Sequence, residues 1–504
     1  MAKRRLVRAK GSAEIFNIGN KAEAREVAGR TFRSSHAYRE FIRAMVGIET
    51  EKDFQTLPWE EIPIASKETL YATAAAVDLM PSENASNISS YLRSSGSSNP
   101  VSGGKGFFWP QLRDTVNISM QQWKSLVVGI FELDKRKTLA IVGMGLGSWS
   151  GGDRYNLMLK SLALETRLPL TVFSPGTTYS EIVEIIARFG LLYDQILIVI
   201  VPSGIYYLEK LADQLSCPLP YHKLAFIAPG EGFHEDLRKH VSKKALPEKM
   251  KFMSNYASAD AELTGLESPE LAEVRALLNE HPDCADQLGF KSRSIPNLFH
   301  AFSSAGYMEN IEGRIVITRW QGLPLVRYDL HDSVQFFSWR TLCSELAALT
   351  GDSTKWIANS EKPYADVIGV FGRADQCVII SGNNLYGSML EEVLMRSALG
   401  PLTTGHFVVW SSLDDGRQVL NWQIELKRGV EPTDEEIEKY YRELMVLLSE
   451  QEPGFRADRS TFASSEPSGV KLFNFHFCAE PALSDNPRYK TGIKRRIVIP
   501  SGPL

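Results

Sequence analysis

From residue 138 to residue 230 short apolar runs alternate with stretches of helical period, an order that few architectures satisfy. TLAIVGM (138 to 144), ILIVIV (196 to 201) and KLAFIAPG (223 to 230) are separated by YSEIVEIIARFG (179 to 190) and YYLEKLADQL (206 to 215). Apolar runs without polar alternation suit strands buried on both faces, and strand–helix–strand order builds a parallel sheet. IEGRIVITRW and PLVRYDLHDSVQFFSW then alternate as antiparallel strands do. The polar segment 343 to 365 predicts a loop, and LLYDQILIVIVPSGIYYL, broken by Asp194, Pro202 and Gly204, predicts a buried strand running into a loop. Past Gly372 come a helix (LEEVLMRS), two strands (HFVVWSS, NWQIELK), a helix with a Thr433/Glu436 capping box, and a last strand (NFHFCAE). With 504 residues the chain exceeds what one core supports. The expectation is an α/β protein: a large N-terminal domain, 1 to 374, with parallel and antiparallel sheets, and a small mobile α+β domain, 375 to 504.

Composition narrows the function classes. A net charge of −4 gives no general attraction to nucleic acid or to an anionic membrane, and no apolar run is long enough to span a bilayer. The basic start MAKRRLVRAK is not followed by an apolar segment of the secretory type. The five cysteines form no CxxC pair, which argues against a disulfide framework and a zinc cluster, and the nine histidines show no HxH or HxxxH spacing. A cytoplasmic location is expected, and nothing in the sequence opposes a homodimer.

Residues 91 to 110, YLRSSGSSNPVSGGKGFFWP, concentrate small hydroxylated residues and glycines. Ser94, Ser95, Gly96, Ser97 and Ser98 offer hydroxyl and backbone N–H donors with little bulk, and Lys105 adds a positive charge. The GxxxxGK[ST] pattern is absent. On residue type alone a phosphate-wrapping loop and a flexible linker stand equal.

SSGSSNP resembles a shortened SSGTTGKP phosphate loop, and further blocks of the same family follow in order. SHAYREFIRAMVGIETEKDFQTLPWEEIPIASKETL (35 to 70) is similar to its helical lead-in, GMGLGSWSGGDRY (143 to 155) to its glycine-rich turn, and VPSGIYYLEKLAD to its PSY segment. NYASADAELTG (255 to 265) sits where the family has YGxSE, RIVITRWQGLPLVRYDLHD (314 to 332) where it has ELVITxL…PLIRYRTGD, and GRADQCVIISGNNLYGSMLEEVL resembles GRxDDMLxxRGxNVFPxxIEEVL. The family is that of adenylate-forming acyl- and aryl-AMP ligases, the phenylacetate–CoA ligase branch above all.

That resemblance implies an enzyme that joins an aryl or arylalkyl carboxylic acid to AMP, releases pyrophosphate, and passes the acyl group to CoA. The cofactors are then ATP, magnesium and CoA. It implies that Asp332 and Arg373 hold the ribose or phosphates, that Tyr256 stacks on adenine, that Asp260 helps hold magnesium, and that Gly230 and Glu231 lie against the base. Trp149, Tyr155, Phe233 and Ala257 are the expected acid pocket. The catalytic lysine of the family's terminal loop corresponds to Lys494 or Lys490 of NPRYKTGIKRRIV, with Lys494 preferred. Three departures stand out: the phosphate loop lacks its second glycine and its lysine, Gln376 replaces a hinge aspartate, and Ile493 occupies the aligned lysine position. An adenylating enzyme that serves an amine, a carrier protein or another nucleophile therefore stays open. So does a catalytically silent nucleotide binder.

Overall fold

The computed structural model describes residues 17–93, 107–230, 232–233, 235–244, 251–281, 284–290, 295–362, 364–373, 377–380, 383–414, 417–451, 473–486, 490–491 and 494–495. A hairpin of β1 (Ile88–Arg93) and β2 (Phe108–Leu112) precedes a five-stranded parallel sheet. Its strands are β3 (Thr138–Gly143), β4 (Leu170–Phe173), β5 (Gln195–Ile200), β6 (Leu224–Ile227) and β7 (Lys251–Met253), in the order β4-β3-β5-β6-β7. Every residue of β3, β5 and β6 is buried, as uninterrupted apolar runs require of strands covered on both faces.

A seven-stranded antiparallel sheet follows, from β8 (Asn255–Ser258), β9 (Glu262–Leu266), β10 (Asn297–Ala301), β11 (Tyr307–Ile311), β12 (Arg314–Arg319), β13 (Leu325–Phe337) and β14 (Val367–Arg373). Its order is β11-β12-β13-β14-β10-β9-β8. The lead-in is helical as expected, with helices Lys21–Ser34, His36–Val46 and Glu51–Thr56. Beyond residue 376 lie the pair β15 (Cys377–Ile380) and β16 (Asn383–Tyr386), then β17 (Thr403–Asp414), β18 (Arg417–Leu426) and β19 (Phe473–Ala479), and the short pair β20 (Lys490–Thr491) and β21 (Lys494–Arg495). The apolar residues of this region, Phe407, Trp422, Leu444 and Phe473 among them, pack in a cluster drawn wholly from positions 378 to 477. The Thr433 capping box is present, with Glu436 N–H donating to Thr433 Oγ1 and Thr433 N–H to Glu436 Oε2.

Two sequence expectations are corrected. Segment 343 to 365 is not a loop: helix Trp339–Thr350 ends at Gly351, with φ +74°, and helix Ser353–Ser360 starts from an Asp352 cap. Leu342, Cys343, Leu346 and Trp356 are buried, so docking stabilises two short helices that the polar sequence conceals. Pro202 begins a helix, Pro202–Gln214, where a loop was expected; proline suits the first helical turn because that N–H has no intrahelical partner.

Candidate active site

A cavity of about 160 Å3 opens at the carboxyl ends of the parallel strands. Met144 follows β3, Val201 follows β5, Pro229 and Gly230 follow β6, and all four line it. Ligands of open α/β sheets collect at this edge, where neighbouring connections diverge. The opposite wall comes from β8, β9 and β13 through Ala257, Asp260, Leu263, Tyr328 and His331.

Arg327 builds one side of this wall from behind. It has a left-handed φ of +42° and is 5% exposed. Its Nη1 donates to the carbonyls of Trp59, Glu60 and Ile62 at 3.3, 2.9 and 2.5 Å, while Nε and Nη2 face Glu309 at 3.3 and 3.4 Å. Trp59 Nε1 also donates to Glu309, at 3.0 Å. Ala65 then bridges Tyr328 in parallel, its N–H donating to Arg327 O at 3.0 Å. One residue on, Ser66 caps a π-helical turn, Lys67–Tyr71, through a capping box. The motif arginine is thus an architectural clamp that delivers Lys67 to the cavity.

Lys67 is 7% exposed and lines the cavity with Asp260. Burial pushes the Asp260 carboxyl up, but the Lys67 ammonium and hydrogen bonds from Ser258 and Tyr328 outweigh it and hold the group below its ordinary value. Tyr328 donates to Asp260 Oδ2 at 2.9 Å, and burial followed by the charge of Asp260 keeps its phenol protonated as a donor. The turn carrying Asp260 is pinned on its far side. Gln321 Nε2 donates to Asp260 O at 2.5 Å, Arg319 Nη1 donates to Ala261 O at 2.8 Å, and Arg319 Nη2 meets Glu262 Oε2 at 2.9 Å. Asp260 is therefore a fixed carboxylate. Among the described residues no group of three His, Cys, Asp or Glu side chains is arranged to hold a metal. A single carboxylate fits magnesium only where phosphates supply further ligands.

Tyr256 and Asp332 meet: the phenol donates to Asp332 Oδ2 at 2.5 Å, and the Tyr256 ring stacks on Phe299 with centroids 5.8 Å apart. Both residues are half-buried beside the cavity, outside its lining. The backbone of Arg373 pairs with Asp332 in the β13–β14 register. Trp149, Tyr155 and Ala257, three of the residues expected in the acid pocket, line the cavity, and so does Gly230, expected against the base. Tyr155 donates to Asn255 Oδ1 and sits edge-on to Trp123 at 5.5 Å.

Phe233 is a correction. It does not line the cavity but packs at 5.1 Å from Phe252 in the core around the parallel sheet, with the Arg275 guanidinium 4.3 Å above its ring. A buried network of Arg238, Arg275, Glu235 and Glu267 holds it there. Ser94, Ser95, Gly96, Ser97, Ser98, Lys105 and Glu231 lie outside the described residues, as do Gln376 and Ile493, and Lys490 and Lys494 are described as backbone of β20 and β21 alone.

Three cavity cations were not singled out from sequence: Lys67, Arg93 and Arg154. Arg93 ends β1 with its guanidinium 5.2 Å from the Trp149 ring centroid, and its buried Nε has no hydrogen-bond partner among the described residues. The available signal was position, a basic residue directly before the Ser/Gly loop and a lysine inside IASKETL.

No protein-family model matches the sequence, and no curated protein matches it either. Solved structures do match over nearly the whole chain. A 2-hydroxyisobutyryl-CoA ligase in the postadenylation state, in complex with 2-HIB-AMP, is similar at a TM-score of 0.62 and 13% identity over 99% of this chain and 95% of that one. An open conformation of a 2-hydroxyisobutyryl-CoA ligase, in complex with 2-HIB-AMP and CoA, is similar at 0.53 and 13% over 95% and 90%. An acyl acid amido synthetase in complex with 2,4-DB is similar at 0.55 and 13% over 96% and 92%. The chain has the fold of adenylate-forming enzymes, with a large N-terminal and a small C-terminal domain. Among the described residues no helix is long and apolar enough to cross a membrane.

Proposed function

We propose that this chain activates a carboxylic acid with ATP, forming an acyl-adenylate and releasing pyrophosphate. The observation that carries the reading is the fixed carboxylate Asp260, held between Lys67 and Tyr328 at the junction of an acid-sized cavity and the Tyr256–Asp332 pair. In this reading Asp332, freed from Tyr256, accepts both ribose hydroxyls, and the Tyr256 ring covers the adenine. Asp260 would supply one ligand to the magnesium that accompanies ATP, with the phosphates supplying others. Residues 94 to 98 wrap the phosphates from the end of β1, with Arg93 at their base. The acid carboxylate attacks the α-phosphorus in line, the bond to the bridging oxygen breaks, and pyrophosphate departs with the electron pair. Catalysis consists of positioning and charge compensation.

The acid is aryl or arylalkyl in this reading, as in the phenylacetate–CoA ligase branch: Trp123, Trp149, Tyr155 and Met158 give the cavity an aromatic and apolar wall. The acceptor is CoA, with the domain boundary at 374/375 and a rotation of the smaller domain that brings in Lys494 or Lys490 and then withdraws it. Solved structures of similar fold include a CoA ligase and an amido synthetase, which supports both acceptor classes, so an amine remains the second reading. Pyrophosphate release from Mg-ATP and a panel of aryl, arylalkyl and short-chain acids tests the activation. Added CoA then yields a thioester under the first reading and leaves the adenylate intact under the second. No release with any acid leaves a silent nucleotide binder.

A further inference from the structure

The acid cavity contains a cation, Arg154, that forms no ion pair within 4 Å among the described residues. Arg154 sits one turn into helix Ser150–Glu165 and lines the cavity between Gln111 and Glu262. Its Nη2 donates to Gln111 Oε1 at 2.6 Å, and Gln111, 1% exposed, is held in turn by its Nε2 donating to Trp109 O at 3.2 Å. That contact fixes the guanidinium without neutralising it. Its other N–H groups make no hydrogen bond to the described residues, and it forms no ion pair within 4 Å among them. The nearest acid across the cavity is already occupied: Glu262 binds Arg319 at 2.9 Å and accepts from Thr115 at 3.4 Å. Burial pulls the Arg154 pKa down, partly offset by the charges of Glu262 and Asp153.

The neutral polar groups nearby are also engaged. Ser119 donates to Thr115 O at 2.9 Å, and Asn255 accepts from Tyr155. Around them stand Trp123, Tyr155, Met158 and Leu263. A guanidinium fixed in an apolar wall with its fork unfilled is a receptor for a planar oxyanion, because bidentate charge-assisted bonds offset the cost of its desolvation.

We propose that the acid activated here carries a second carboxylate, which Arg154 receives in the cavity while the first carboxylate faces the nucleotide. The inference rests on the adenylation reading and narrows it from carboxylic acids in general to dicarboxylic ones. Gln111 is a positioning residue for Arg154.

Matched pairs test this: phenylacetate against its 2-, 3- and 4-carboxy derivatives, and hexanoate against adipate. Each acid is titrated into the full-length chain by calorimetry without ATP, so the binding result does not depend on catalysis. The wild type should bind at least one dicarboxylate tenfold or more tighter than its monocarboxylate partner. Arg154→Met should lower that ratio by about 10- to 100-fold, the loss of a bidentate charge-assisted contact, and Arg154→Lys should keep part of it. Equal or tighter binding of the monocarboxylates, no binding of any dicarboxylate, or an unchanged ratio in Arg154→Met with native circular dichroism overturns the proposal. Preferential dicarboxylate binding without pyrophosphate release would remove the adenylation reading and leave Arg154 assigned. Release from monocarboxylates alone would do the reverse.

Discussion

Replacing Arg327 by methionine should free the segment that carries Lys67 while leaving the sheet behind it folded. The side chain makes three bonds to the carbonyls of residues 59 to 62 and faces Glu309, which is 5% exposed. Methionine fills most of the volume but leaves Glu309 with the Trp59 indole as its hydrogen-bond partner. Removing one member of a buried ion pair costs about 3 to 5 kcal/mol. The Glu60 carbonyl lies in a part-buried contact and can turn to water, so the lower half of that range applies to the substitution. If the cost falls mainly on docking of the lead-in, opening of residues 57 to 72 becomes roughly 10² to 10³ times more frequent, at about 1.4 kcal/mol per tenfold. Hydrogen exchange followed by mass spectrometry on peptides from that segment reads this directly, and peptides from β3 and β5 serve as the internal control. Arg327→Lys should fall between, since it keeps a charge but not the fork. Wild-type exchange rates across 57 to 72 in Arg327→Met would refute the clamp.

Gly152→Ala should destabilise by about 1 to 3 kcal/mol and raise KM for the acid, because a Cβ there lies 2.1 Å from the Gly145 carbonyl. Gly151→Ala meets the movable end of Met144 and should be milder in denaturant titrations of both. His300, between Trp339 and Tyr364 and bonded to Ser268 and the Ala365 carbonyl, is pushed by burial to about 4, with the carbonyl bond and Glu270 opposing. The unfolded state then binds the extra proton between about pH 6.5 and 4, so stability is complete above 6.5 and falls by about 3 kcal/mol as pH drops to 4. His300→Phe should flatten that part of the pH–stability curve, and an unchanged slope would refute the assignment. Lys494→Ala should slow pyrophosphate release by about 10²-fold while sparing transfer from preformed adenylate. If Lys490→Ala shows that pattern alone, the neighbouring lysine carries the role.

The sequence was most readable where local pattern and final environment agree. Buried parallel strands leave apolar runs such as ILIVIV, and the Thr433 cap needs nothing beyond four residues. Pattern misled where tertiary contacts decide. Helix Ser353–Ser360 buries a single apolar side chain, Trp356, which docks it, and Phe233 is captured by Arg275 rather than by the cavity. Tyr256, Asp332 and Asp260 were singled out because motifs mark them, and the fold brings Tyr256 onto Asp332 and Tyr328 onto Asp260. Lys67, Arg93 and Arg154 come from three segments that only the folded chain joins around one cavity, so spacing could not pair them. Arg327 shows the limit from the other side: a motif residue whose backbone lies beside the site and whose side chain turns away to hold the lead-in.

The central claim, an acyl-adenylate made at the Asp260–Asp332 junction, is tested most directly by trapping that product. Enzyme in excess is mixed with α-labelled Mg-ATP and the best-bound acid, quenched without acceptor, and assayed for labelled acyl-AMP in wild type and Asp332→Ala. The account predicts near-stoichiometric acyl-AMP in the wild type. In the variant ATP should bind about 30- to 150-fold more weakly, for the loss of roughly 2 to 3 kcal/mol of charge-assisted bonding, with circular dichroism unchanged. No acyl-AMP from the wild type with any acid that binds, or undiminished ATP affinity in Asp332→Ala, would contradict it.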